Sequence, residues 1–350
     1  MRIAQIAPLT ESVPPRLYGG TERVVSFLTE ELVRLGHDVT LFASGDSVTA
    51  ATLEPVWPSA LRFDGDLRDP GAPQMLLLET AYRHAEDFDV LHFHLDYWSF
   101  SLFSRQPTPF VTTLHGRLDL PEIVPLYDRF PRVPLVSISD SQRRPLPRAN
   151  FVRTVHHGLP VDLLRPQPVK PSYLAFLGRI APEKCPDKAI RIARRAGIPL
   201  KIAAKVDRVD EAYFREKIRP MIDGRHVELI GEIGDADKSD FLSGAIALLM
   251  PIDWPEPFGL VMIEAMACGT PTIALNRGSV SEVIEDGLTG YIVETEQEAV
   301  EAVAFAAELP RARIRQRFEE RFTASRMAAD YLDVYDELCR TGHPRLRVAI

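Results

Sequence analysis

The stretch Pro255-Glu256-Pro257-Phe258-Gly259-Leu260-Val261-Met262-Ile263-Glu264-Ala265-Met266-Ala267-Cys268-Gly269-Thr270-Pro271 decides how the rest of the chain is read. Its apolar run predicts a helix over Phe258–Ala267, followed by a strand over Pro271–Ala274. Glu256 then lies before the helix and Glu264 two turns into it. The first amides of that helix, Phe258 and Gly259, have no intrahelical acceptors. With the helix dipole behind them, such groups bind anions. A carboxylate on each side of an anion hole suits a ligand with hydroxyls at both ends and phosphates in the middle.

Working outward, the C-terminal half repeats a strand–helix rhythm. Strands are predicted at Ser172–Leu177, Leu200–Ala204, Val227–Ile230 and Ala245–Met250. Helices are predicted between them at Cys185–Ala196, Ala212–Met221 and Lys238–Ser243. The last helix, Ala324–Cys339, has apolar residues at 327, 332, 335 and 338 and so one core face. The N-terminal half has the same build. Arg2–Ala7 reads as a buried strand ended by Pro8, and a Pro- and Gly-containing loop runs through Gly19-Gly20. Thr21 is the expected N-cap of a helix over Glu22–Leu35, whose apolar positions 24, 25, 28, 32 and 35 have a helical period. Further strands follow at Asp38–Ala43, Val90–Phe93, Phe110–Leu114, Pro134–Ile138 and 151–155. Residues 44–72 are irregular, with room for one short strand. Prolines 160, 166, 168 and 171 mark an interdomain connection. Two successive α/β units with parallel sheets are therefore expected.

Bulk composition sets limits. The chain has 350 residues, enough for two cores, and is 45% apolar and 26% charged. No apolar run reaches the length of a membrane span and no signal peptide opens the sequence. Cys185, Cys268 and Cys339 are too widely spaced for a disulfide framework or a zinc site, so a reducing, cytoplasmic setting is expected. A formal charge of −8 disfavours nucleic-acid binding. Arg129, Arg132, Arg143, Arg144, Arg148 and Arg153 nevertheless form a basic cluster, read as a solvated patch or as a site for an anionic acceptor or a membrane surface.

Five motifs in order carry a family resemblance. Glu256-Pro257-Phe258-Gly259, with Glu264-Ala265-Met266-Ala267-Cys268-Gly269-Thr270-Pro271 after it, closely resembles the Glu-x7-Glu motif of retaining family-4 glycosyltransferases (glycosyl transferases group 1). Gly19-Gly20 before a helix resembles that family's N-terminal glycine loop. Leu114-His115-Gly116 resembles its strand-end histidine. His157-Gly158-Leu159-Pro160-Val161-Asp162 resembles its domain junction, with His157 where Asn is common. Phe176-Leu177-Gly178-Arg179-Ile180-Ala181-Pro182-Glu183-Lys184 resembles its diphosphate motif, and Cys185 stands where glycine is usual. The resemblance implies the GT-B fold, two Rossmann-like domains facing across a cleft. It places an acceptor-side domain at 1–160, a nucleotide-sugar domain at 161–322, and a C-terminal helix, 323–350, crossing back to the first.

The resemblance also implies roles. Arg179 and Lys184 neutralise a diphosphate, Gly178 and Gly19-Gly20 let backbone approach it, and Glu264 accepts from ribose hydroxyls. Glu256 holds hydroxyls of the transferred sugar, and Phe258, Gly259 and Leu260 supply the helix-start amides. His115 lies near the anomeric carbon. Each has a plainer reading. The Arg-Lys pair is otherwise an exposed basic loop, a reading that the Glu-x7-Glu motif in the same domain disfavours; Glu264 is otherwise a helix-face acid, Glu256 an acid complementing the dipole, Glu22 a capping residue and His115 a satisfied strand-end histidine. His92 and His94 share a strand face without the carboxylates a metal site needs, and Asp96 and Tyr97 after them are candidates to face an acceptor. Asp64-Gly65-Asp66 and Asp235-Ala236-Asp237 imitate the metal-binding Asp-x-Asp of other glycosyltransferases, but read as a loop and a helix start.

The expected activity is thus retaining, metal-independent hexosyl transfer from a nucleotide sugar to an acceptor hydroxyl. A UDP-sugar is the first choice of donor and GDP-mannose the second, with no cofactor. The acceptor is open: glycan, lipid-linked or small molecule. The rivals are a sugar-nucleotide epimerase on the same fold and a non-catalytic sugar-nucleotide-binding protein. A dehydrogenase is disfavoured because no Gly-x-Gly-x-x-Gly follows the first strand.

Overall fold

The computed structural model describes residues 1–16 and 19–341. The chain divides into two compact units, Leu159–Thr323 and a discontinuous one made of the first 158 residues with the segment from Ala324 onward. Positions 342–350 of the expected C-terminal segment lie outside the described residues.

The first unit is a seven-stranded sheet in the order β3-β2-β1-β4-β5-β6-β7. The strands are β1 (Arg2–Ile6), β2 (Asp38–Ser44), β3 (Thr52–Trp57), β4 (Val90–Phe93), β5 (Phe110–Thr113), β6 (Leu135–Ser137) and β7 (Phe151–Thr154). Every pairing is parallel. The central strands are mostly apolar because helices cover both faces; Ile3, Ala4, Ile6, Val90, Leu91 and Phe93 are fully buried, as are the polar Gln5 and His92 among them. The short strand allowed for in residues 44–72 is β3. The first helix begins at Gly20 with Gly19 as N-cap, which corrects the assignment of that role to Thr21. It buries Val24, Val25, Phe27, Leu28 and Leu32 and stops before Gly36, which adopts φ 86°.

The second unit is a six-stranded parallel sheet in the order β10-β9-β8-β11-β12-β13. Its strands are β8 (Tyr173–Arg179), β9 (Leu200–Lys205), β10 (Val227–Gly231), β11 (Ala245–Met250), β12 (Thr272–Leu275) and β13 (Gly290–Val293). The sequence reading missed β13, whose four residues Gly-Tyr-Ile-Val lie in a turn-rich stretch. The helix after β11 begins at Leu260, not Phe258, so Glu264 is its fifth residue and sits about one turn in.

Both sheets reverse strand order beside the first strand of their unit, between β1 and β4 and between β8 and β11. In open parallel sheets the carboxyl ends of strands at such a switch point are where ligands bind. His94 and Glu256 lie in the segments after β4 and β11, and Arg179 is the last residue of β8. The last helix, Ala324–Thr341, belongs to the first unit and packs on its sheet through Tyr331 and Tyr335.

Candidate active site

In the second unit, Gly178 and Arg179 close β8, and the backbone continues through Pro182–Lys184 into the helix Pro186–Ala196. Cys185 joins the two in the left-handed conformation, φ 51° and ψ 51°. Glycine adopts that region freely and other residues at a cost of about 1–2 kcal/mol. The cysteine therefore keeps the turn that a glycine would make. Its thiol is buried and donates to the Pro182 carbonyl at 3.2 Å. At Gly178, φ is 152° and the space beside its Cα is open to 4 Å, so backbone is accessible there.

Each expected diphosphate cation already holds a carboxylate. Arg179 donates to Asp210 at 2.7 Å and also pairs with Glu183. Lys184 pairs with Glu256, and its ammonium lies 5.0 Å from the centre of the Trp254 ring. Glu256 accepts a second bond from the Trp254 indole at 2.9 Å. The structure thus brings Lys184 and Glu256, residues from opposite sides of the switch point, into one ion pair.

Glu256 is fixed from behind. Ser279 donates its amide to the Glu256 carbonyl at 3.0 Å and its hydroxyl to the Phe258 carbonyl at 2.8 Å. Gly278, at φ 61°, passes so close that a Cβ on it would stand 2.3 Å from the Glu256 carbonyl oxygen. Gly259, the N-cap of the helix, also has a left-handed backbone at φ 79°. Neither Gly278 nor Ser279 belongs to a motif; the Gly-Ser pair after Arg277 was the available signal for a tight turn.

Glu264 is 4% exposed. It accepts from Lys238 Nζ at 2.6 Å, and Lys238 also reaches Asp235 at 3.2 Å. The sequence reading supplied Glu264 with no protein partner and overlooked Lys238. Asp235 begins its helix behind an N-cap Gly234, where its charge complements the dipole, and pairs with Lys238. Asp64 accepts from the Trp57 indole at 3.2 Å and from the Asp66 amide at 3.2 Å.

The first unit carries the remaining expected residues. Gly19 caps the first helix with its carbonyl receiving the Arg23 amide, and a Cβ there would strike the Pro15 ring at 2.8 Å. That contact alone requires glycine, whatever approaches its amide. Gly20 is the first helical residue. Glu22 is buried; burial, with Glu11 adding repulsion, raises its carboxyl above the usual range, while backbone amides, first its own, pull the other way.

His115 follows β5 and is gripped twice. Gln142 donates to the carbonyls of Leu114 and Gly116 at 2.9 and 2.8 Å, fixing the turn. The ring Nε2 lies 2.9 Å from His94 Nδ1. His157 stacks on the other face, 5.3 Å between centroids at 17°. Burial pushes His115 down to about 3 and holds His92, His94 and His157 well below the ordinary histidine range. Both nitrogens of His92 and of His94 are engaged in hydrogen bonds within the protein. Asp96 and Tyr97 are exposed after β4, with Asp96 at φ 47°. Of the basic cluster, Arg148 pairs with Asp128, Arg153 with Asp333 and Arg143 with Asp140, while Arg129, Arg132 and Arg144 are exposed.

The model of "Glycosyltransferase Family 4" matches residues 18–139 and that of "Glycosyl transferases group 1" matches residues 165–323. The chain belongs to this glycosyltransferase family. Among curated relatives, the phosphatidyl-myo-inositol mannosyltransferase of Mycobacterium leprae (strain TN) is 25% identical over 98% of each chain. Among solved structures, the sucrose-phosphate synthase of Thermosynechococcus elongatus superposes with a TM-score of 0.79 at 19% identity, covering 97% of this chain and 99% of that one. Anabaena Alr3699/HepE in complex with UDP and glucose gives 0.74 at 17% identity, covering 96% and 99%. The glycosyltransferase has the GT-B class of fold, with two parallel-sheet Rossmann-like units. No described helix is long and apolar enough to cross a membrane.

Proposed function

We propose that this glycosyltransferase moves a hexosyl group from a UDP-sugar to an acceptor hydroxyl with retention, and without a metal ion. The observation that carries the reading is the Lys184–Glu256 pair at the switch point of the second unit, with the buried Glu264 one turn into the following helix. On donor binding, the diphosphate takes Lys184 and Arg179 from their carboxylates, and the leaving phosphate keeps both cations as its charge grows. Glu256, released from Lys184, holds sugar hydroxyls; Glu264 receives the ribose hydroxyls. The acceptor attacks on the face the diphosphate leaves, and the leaving oxygen takes the acceptor proton. These two cations, used directly on the diphosphate, are the reason for proposing metal-free chemistry. The Asp-x-Asp stretches support this, since Asp64 and Asp235 serve Trp57 and Lys238.

The complex of Anabaena Alr3699/HepE with UDP and glucose favours a uridine donor; the mannosyl transfer in the name of the mycobacterial relative favours GDP-mannose as the second choice. The acceptor is a hydroxyl compound. Three exposed arginines, Arg129, Arg132 and Arg144, support an anionic acceptor or peripheral membrane contact. The test is a thermal-shift panel of UDP, GDP, ADP, their sugars and NAD, with and without chelator, because a ligand of the folded state raises the midpoint. A shift from one nucleoside diphosphate that survives chelator and disappears in Glu264→Ala supports the reading. A chelator-sensitive shift, or one from NAD alone, overturns it. Product analysis by NMR then distinguishes retention from inversion, and an altered donor released without acceptor would mark an epimerase.

A further inference from the structure

We propose that Gln5 is a positioning residue that fixes His115 as the tautomer with its proton on Nε2, leaving Nδ1 as a bare acceptor for a substrate hydroxyl. The proposed glycosyl-transfer site is the premise for the last clause only. Gln5 is fully buried in β1, in register with His92 of β4. Its Nε2 donates to the Tyr335 hydroxyl at 3.1 Å, which turns its Oε1 toward His94 Nε2 at 2.9 Å. An amide oxygen only accepts, so the His94 proton sits on Nε2. A neutral imidazole then has Nδ1 as acceptor, and the partner at 2.9 Å, His115 Nε2, must donate. Burial keeps both rings neutral. His115 Nδ1 is the atom left over, buried and with no hydrogen-bond partner.

The opposite direction of the chain would rotate the Gln5 amide and reverse each bond. It would place an N–H on that same buried Nδ1 with nothing to receive it. Orphaned buried donors are rarer than under-satisfied acceptors, which favours the direction given. Tyr335 secures the Gln5 amide from the last helix. It also lies 2.7 Å from His92 Nδ1, whose Nε2 is 2.7 Å from Thr113 Oγ1, itself 2.9 Å from the Tyr331 hydroxyl. The relay therefore spans three strands and the C-terminal helix of one unit. An unpaired buried acceptor is where an incoming hydroxyl gains most, since its desolvation has already been suffered.

The experiment is long-range nitrogen–proton NMR on protein labelled with nitrogen-15 at histidine, with the His115 signals identified by their loss in His115→Gln. The expected spectrum shows His115 as a single neutral tautomer, protonated at Nε2. In Gln5→Met, which keeps the volume and removes the oxygen, His115 should show a mixture of tautomers. Glycosyl transfer should then fall about tenfold in kcat with the donor KM unmoved, the loss of one hydrogen bond to the reacting complex. A wild-type His115 protonated at Nδ1, or a single unchanged tautomer in Gln5→Met, overturns the proposal. Should Gln5→Met fail to fold, the wild-type spectrum alone decides. Because the tautomer is read without substrate, a correct tautomer in a protein that transfers no sugar would count against the proposed function and not against the role of Gln5.

Discussion

Lys238 stands in no motif, yet it is the residue that makes Glu264 tolerable in the core of the second unit. Removing one partner of a buried pair leaves an uncompensated charge, typically costing about 3–5 kcal/mol. Asp235 gives Lys238 a second carboxylate at 3.2 Å, so Glu264→Gln should cost less than Lys238→Met, which strands Glu264 alone. Urea titration of the two variants checks the order, and equal losses would mean Asp235 contributes nothing. In the active site, Lys184→Ala should lower kcat by about 10²–10³-fold, the scale seen when a preorganised electrostatic contact to developing charge is removed. Steady-state kinetics on the donor identified by thermal shift provides the measure; a change confined to KM would show that Lys184 only binds. Glu256 and Glu264 were legible because their spacing across a predicted helix start is local. Lys238 was not, because its partner is 26 residues away and lies across a strand.

Loops and strands show the same division. The largely apolar runs of β1, β4, β8 and β11 announced themselves, whereas β13 is four residues long and gave no periodic signal. The importance of the turn at Arg277–Ser279 was hidden for a different reason: it lies in what the turn touches. Gly278 and Gly287 are both left-handed, at φ 61° and 71°, but only Gly278 faces backbone at contact distance, that of Glu256. Gly287→Ala should therefore cost only the conformational penalty, about 1 kcal/mol. Gly278→Ala must also displace Glu256, and should destabilise by at least about 2 kcal/mol while lowering kcat. Melting curves and donor turnover for the pair check this; equal effects would remove the buttressing role of that turn. Cys185 illustrates a departure that the backbone absorbs, since the chain keeps the left-handed turn there with a thiol in place of glycine.

At the scale of the whole molecule, the histidines of the first unit tie its stability to pH. His92, His94, His115 and His157 are all held below the ordinary histidine range by burial. As pH falls below about 6.5, the unfolded chain takes up protons that the folded chain refuses, so stability is complete above that value and declines toward pH 3. Each histidine adds a slope of at most about 1.4 kcal/mol per pH unit. The melting temperature should thus drop between pH 7 and pH 5, less steeply in His92→Gln; a midpoint rising on acidification would refute the assignment. Two α/β units were readable from alternating patterns alone, but the relay through Gln5, His94 and His115 was not, because it joins strands far apart in sequence. The same is true of the last helix, whose amphipathic face was visible and whose partners, Gln5, His92 and Thr113, were not. That helix has a consequence for biosynthesis. A ribosome delivers β1 and β4 early and Tyr331 and Tyr335 only after the entire second unit, Leu159–Thr323, has emerged. Until then the polar floor of the nascent first sheet lacks its covering tyrosines, so the earliest-made domain is the last to be sealed.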